Sequence, residues 1–113
     1  MSTPENKVKT FINTKMKDWF PEAFVYAPPG GLYGKGGMPD KLWFIKASNE
    51  FTIVVAIEAK AEGNKPTDLQ LVTLAKLQRQ GAVAAVVTGK DLGHLERIRD
   101  EILRRLLLAP KKP

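Results

Sequence analysis

Residues 51–60 read FTIVVAIEAK, and this segment organises the rest of the chain. Most of its residues are apolar at both alternating positions, which is typical of a strand with a neighbour on each side. The pattern changes only at its end. There Glu58 and Lys60 stand two residues apart, so their side chains point to the same face of the strand. The segment therefore predicts a central strand that ends in an acid and a base.

Further strands and a helix follow in order on both sides of this segment. Residues 41–46 (KLWFIK) predict a strand that pairs antiparallel with it, because only the polar turn at 47–50 separates the two. Residues 23–27 predict another short strand, bounded by prolines. After the central strand, a helix over 67–80 and a strand over 82–88 predict a right-handed crossover and a parallel pair.

Two more helices complete the predicted fold. Thr3 and Pro4 are a typical cap and first residue of a helix, which should run to Pro21. Asp91 caps a last helix that ends near Leu108. The helix over 67–80 should bury one stripe of side chains: Leu71, Leu74, Ala75 and Leu77. These elements predict an α/β fold with a mixed sheet flanked by helices. They form one domain over residues 1–108, followed by a basic tail at 109–113.

The composition narrows the classes of function. The chain has 113 residues and no cysteine, which excludes disulfides, thiolate metal sites and cysteine nucleophiles. A formal net charge of +6 favours a polyanionic partner such as DNA, although it would also serve solubility. The first residues lack the apolar stretch of a secretion signal, and no apolar run is long enough to cross a bilayer. We expect a cytoplasmic protein with no membrane partner.

The charged residues at the strand ends suggest a chemistry. Asp40 directly precedes the strand over 41–46, so its carboxylate can approach Glu58 if the two strands are neighbours. Two carboxylates bind Mg²⁺ well, and the ion can take phosphate oxygens as further ligands. Lys60 beside them could orient a water or stabilise developing charge, as phosphodiester hydrolysis requires. The simpler alternative for Glu58 and Lys60 is an exposed ion pair at a strand end.

Three motifs carry a resemblance to a known family. The segments GMPD (37–40), IEAK (57–60) and TDLQ (67–70) resemble the VRR-NUC branch of the PD-(D/E)XK nucleases. The resemblance extends from Glu5 to about Thr88. It implies the restriction-endonuclease-like fold, dependence on Mg²⁺ or Mn²⁺, and structure-selective cleavage of DNA.

The resemblance also implies roles for individual residues. Metal binding would fall to Glu5, Asp40 and Glu58, and catalysis to Asp40, Glu58, Lys60 and Gln70. Two of these positions have simpler explanations. Glu5 is a favourable acid in the first turn of any helix. Gln70 forms a capping box with Thr67, a role that is compatible with a place near the site.

The glycine-rich segment PPGGLYGKGGM (28–38) is predicted to lie against DNA, with Tyr33 and Lys35 as contacts. Lys65, just before a helix, is a further predicted phosphate contact. The alternative is a flexible surface loop. A nucleotide cofactor is not expected, because Lys35 is not followed by serine or threonine and a strand, not a helix, comes next.

The resemblance to small stand-alone, phage-type members implies a substrate and an assembly. Such proteins are associated with cleavage of four-way (Holliday) junctions by homodimers, in a bacterial or phage-infected cell. A near two-fold junction matches a two-fold dimer. Two alternatives stay open: a nuclease of flaps or nicked duplexes, and a DNA-binding module on the same fold without catalysis.

Overall fold

The computed structural model describes residues 3–29 and 37–110, which form three helices and four strands in the predicted order. The elements are α1 (Pro4–Trp19), β1 (Phe24–Tyr26), β2 (Lys41–Ser48), β3 (Phe51–Lys60), α2 (Asp68–Arg79), β4 (Val83–Thr88) and α3 (Leu92–Leu108). Tyr33 and Lys35, the predicted DNA contacts of the glycine-rich segment, lie outside the described residues.

The strands form one mixed sheet in the order β1-β2-β3-β4. The first three strands pair antiparallel, and β3 pairs parallel with β4 after the crossover through α2. The predicted central position of β3 is confirmed, since it has a strand on each side. The predicted α/β class with a mixed sheet is confirmed as well.

Alternation along β3 divides the core between the two faces of the sheet. Val55, Ile57 and Ala59 are buried in the larger cluster, beneath α1 and α3. The helices contribute six buried residues to that cluster, and Phe20 directly after α1 adds a seventh; the helical ones are Val8, Ile12, Met16, Leu95, Ile98 and Ile102. Ala56 belongs to a smaller cluster beneath α2. Glu58 and Lys60 continue the alternation of Ala56, so the charged end of β3 belongs to the α2 side.

Fewer side chains of α2 are buried against the sheet than the sequence pattern predicts. Leu74 is buried and Leu77 is partly buried against Ala56 and Ala84, but Leu71 is 48% exposed. The prediction that Leu71 is buried is therefore wrong. The physical reason is that only the second half of α2 packs on the apolar sheet, against Ala56 and Ala84. The first turn of α2, which carries Leu71, lies beside the charged end of β3 instead.

Within residues 3–29 and 37–110, no helix is both long enough and apolar enough to span a bilayer.

Candidate active site at the end of the central strand

Strand pairing brings Asp40 to Glu58. Lys41 pairs with Ile57 across β2 and β3, so extending this register by one residue places Asp40 opposite Glu58 on the same face. The Oδ2 of Asp40 accepts a hydrogen bond from the backbone N–H of Ala59 at 2.8 Å. A backbone donor thus holds the Asp40 carboxylate beside the end of β3.

Glu58 is a buried carboxyl group with unused bonding capacity. Its side chain is 2% exposed, and its Oε2 accepts a hydrogen bond of 3.3 Å from Nε2 of Gln70. Its Oε1 has no hydrogen-bond partner among the described residues. Burial and the negative charge of Asp40 raise the pKa of Glu58 from 4.5 to about 8, against the opposing effect of Lys60. This environment disfavours the charged form of Glu58 unless a metal cation binds beside it.

Two lysines connect the acids into a network of alternating charge. Lys60 Nζ lies 3.9 Å from Oε2 of Glu58 and 4.0 Å from Oε1 of Glu5. Lys9 Nζ lies 3.7 Å from Oε2 of Glu5 and 3.4 Å from Oδ1 of Asp40. The network excludes the alternative of an isolated exposed pair between Glu58 and Lys60, because one partner is buried and three further groups take part.

Gln70 joins the start of α2 to this network. Its Oε1 accepts a hydrogen bond from the backbone N–H of Thr67 at 2.8 Å, and Thr67 Oγ1 accepts one from the N–H of Gln70 at 3.1 Å. This is a complete capping box. Because the box occupies the amide oxygen, the amide nitrogen is left to donate to Glu58. The structure therefore shows that the cap and a contact with Glu58 are compatible, and the catalytic role of Gln70 stays a prediction.

The structure brings together five residues predicted to form the site: Glu5, Asp40, Glu58, Lys60 and Gln70. Lys65, the predicted phosphate contact before α2, is exposed and takes no part in their ion pairs within the described chain. Lys9 is the residue that sequence reasoning missed. The available signal was its position four residues after Glu5, which places both side chains on one face of α1.

A cavity of about 480 Å³ opens beside Asp40. Its lining combines apolar side chains with polar ones, including Ile12, Trp43, Ile57, Lys9, Asn13 and Lys41. Asp40 and Gln70 also reach it. The site therefore adjoins a space that a ligand can enter.

The donor set fits a divalent ion held by two carboxylates. In the part of the chain that the structure describes, no group of three or more Asp, Glu, His or Cys side chains surrounds a point where a metal could bind. Asp40 and Glu58 remain as a pair, and Mg²⁺ is commonly held by one or two carboxylates with waters and substrate phosphate as the other ligands. Glu5 as a third ligand stays a prediction, since here it contacts Lys9 and Lys60.

Two solved structures share this fold. One, described as "VRR_NUC domain", has a TM-score of 0.64 at 20% identity and covers 88% of this chain and 97% of its own. The other, described as "VRR_NUC domain protein", has a TM-score of 0.56 at 18% identity and covers 99% of this chain and 95% of its own. No protein-family model matches the chain, and no curated protein does. The resemblance indicated by the three sequence motifs is thus confirmed at the level of the fold.

Proposed function

We propose that the protein is a divalent-metal-dependent endonuclease that hydrolyses phosphodiester bonds in branched DNA, four-way junctions in particular. One observation carries the proposal: Glu58, buried and with one oxygen that has no hydrogen-bond partner among residues 3–29 and 37–110, lies beside Asp40 and Lys60 at the end of the central strand. The fold shared with VRR_NUC domain structures supports it. The choice of four-way junctions follows from the resemblance to small stand-alone members of that family.

Four of the site residues have a direct part in this chemistry. Asp40 and Glu58 would hold Mg²⁺ or Mn²⁺, which supplies charge stabilisation at the phosphate and a more acidic water. Gln70 orients Glu58 through its hydrogen bond, and the backbone of Ala59 orients Asp40. Lys60 carries three N–H donors next to Glu58, so it can hold the attacking water or a phosphate oxygen in place.

The remaining surface should bind the DNA backbone. With a net charge of +6 the chain attracts phosphates, and Tyr33, Lys35 and Lys65 are the proposed contacts. Two copies related by a two-fold axis would present two active sites to the two matching strands of a junction. A homodimer is therefore part of the proposal.

The test is cleavage of end-labelled four-way junction, flap, nicked duplex and linear duplex with Mg²⁺, Mn²⁺ or EDTA. We expect symmetric cuts in the junction that require the metal and are lost in an Asp40→Asn protein. Asp18→Asn, which makes the same change at an exposed position of α1, should cut normally. Preferential cutting of the flap or nicked duplex would replace the junction as substrate. Binding of DNA without cleavage under every metal would contradict the enzyme and leave a DNA-binding module.

The capping box gives a smaller expected effect that links folding to the site. Thr67→Ala removes the hydroxyl that caps α2 and loosens Gln70, so we expect a loss of about 1 kcal/mol in unfolding free energy and a several-fold slower cleavage. Asp91→Ala is the control, because Asp91 caps α3 by accepting from His94 N–H at 3.0 Å. Urea unfolding should show similar destabilisation of both variants. Equal cleavage by both would contradict a role for the cap in placing Gln70.

A further inference from the structure

The two lysines of the site differ in the carboxylates they contact. Lys60 contacts Glu58 and Glu5, whereas Lys9 contacts Glu5 and Asp40. The Lys9 side chain is 35% exposed and extends from α1 across the site to the start of β2. Its ammonium group lies closer to Asp40, at 3.4 Å, than any other cation in the network lies to a carboxylate.

An ammonium group in this position is attracted to the same carboxylate, Asp40, that would bind a metal ion. A divalent cation bound by Asp40 would meet Lys9 at a separation of a few ångströms, where like charges repel even at a high effective dielectric constant. The cation would therefore have to break or lengthen the contact between Lys9 and Asp40. Losing this contact makes metal binding less favourable.

The packing of α1 does not depend on Lys9. The buried residues of this helix are Val8, Ile12 and Met16, and Lys9 adds only partly exposed ion pairs. Pairs of this kind contribute little to folding. Lys7, two residues earlier, is exposed and forms no ion pair with the carboxylates of the site in the described chain. The Lys9 contacts are therefore specific to the acidic cluster.

We infer that Lys9 competes with the divalent cation for Asp40. Its ammonium group neutralises the Asp40 carboxylate in the metal-free protein and thereby weakens metal binding there. The inference rests on the proposed metal-binding role of Asp40 and Glu58. It assigns to Lys9 control over metal affinity. In the metal-bound protein the displaced ammonium is free to bind another anion in the cavity that Lys9 lines.

The test is calorimetric titration of the protein alone with Mn²⁺, at an ionic strength of about 0.15 M, where exposed charges more than about 8 Å apart are largely screened. Lys9→Met should bind Mn²⁺ about tenfold more tightly than wild type, because a positive charge next to the ion is removed. Lys9→Arg keeps the charge and should bind within about threefold of wild type. Lys7→Met is the matched control, with the same loss of charge on the same helix, and should change the affinity less than twofold.

The outcomes separate this inference from the proposed function. If Asp40→Asn weakens Mn²⁺ binding but Lys9→Met binds no more tightly than wild type, the metal site stands and the competitor role is wrong. Equal tightening in Lys7→Met and Lys9→Met would assign the effect to net charge and would also overturn it. If wild type and all variants fail to bind Mn²⁺, the proposed metal site fails and the inference fails with it.

Discussion

A Lys60→Ala protein is expected to cleave DNA about a thousandfold more slowly than wild type at saturating metal. The ammonium of Lys60 is the one cation in contact with Glu58 in the described chain, and its side chain is only 13% exposed. Removing it takes away a preorganised positive charge where the phosphate would react. Such charges are worth more inside a partly dry site than in water.

The comparison that checks this result is single-turnover cleavage with enzyme in excess over junction DNA. Lys46→Ala removes the same charge from an exposed position of β2, and we expect cleavage within about twofold of wild type. Junction binding by Lys60→Ala should stay close to that of Lys46→Ala, so that the loss falls on the chemical step. A Lys60→Ala protein that cuts within a few-fold of wild type would remove Lys60 from the mechanism.

The second large effect is on stability, and it runs against the usual expectation for a conservative change. Glu58→Gln is expected to stabilise the metal-free protein near pH 9 by on the order of 3 kcal/mol. The folded-state pKa of Glu58, about 8, lies above its ordinary value of 4.5, so the folded protein retains a proton that the unfolded chain releases. The unfolding free energy of wild type therefore falls as pH rises from about 4.5 to 8. Glutamine is neutral throughout and avoids this loss.

Urea unfolding in EDTA near pH 5, 7 and 9 measures the effect directly. The advantage of Glu58→Gln should be small near pH 5, where Glu58 is already protonated, and should grow with pH. Glu22→Gln, at an exposed position, is the control and should show no such trend. Addition of Mg²⁺ should stabilise wild type but not Glu58→Gln. An advantage that is the same at every pH would contradict the raised pKa of Glu58.

The alternation of β3 was sufficient to predict which part of the site shares one face. It placed Glu58 and Lys60 together, and the short turn after β2 made Asp40 their neighbour by antiparallel pairing. These are short-range consequences of strand geometry, which depend only on the period of two and on adjacency. For the same reason the central position of β3 could be predicted from its apolar character on both faces.

Contacts between distant elements could not be predicted in this way. Lys9 precedes Asp40 by 31 residues, and the two meet only because α1 packs across the sheet with its first turns near the end of β3. The burial of Glu58 likewise depends on how closely α2 approaches. Leu71 shows the opposite error, since helical spacing predicts a stripe but does not say how far along a helix the sheet extends beneath it.

The side-chain amide of Gln70 makes two hydrogen bonds with different functions, and a single substitution would separate them. Its oxygen completes the cap of α2, and its nitrogen donates to Glu58. Glutamate at this position would keep the oxygen and so satisfy the helix, but it would turn a donor toward Glu58 into a repelling charge. The cap of α2 alone would accept either residue here. The need for a donor at position 70 therefore comes from Glu58 and not from the helix cap, so Gln70→Glu would keep the cap and lose the contact with Glu58.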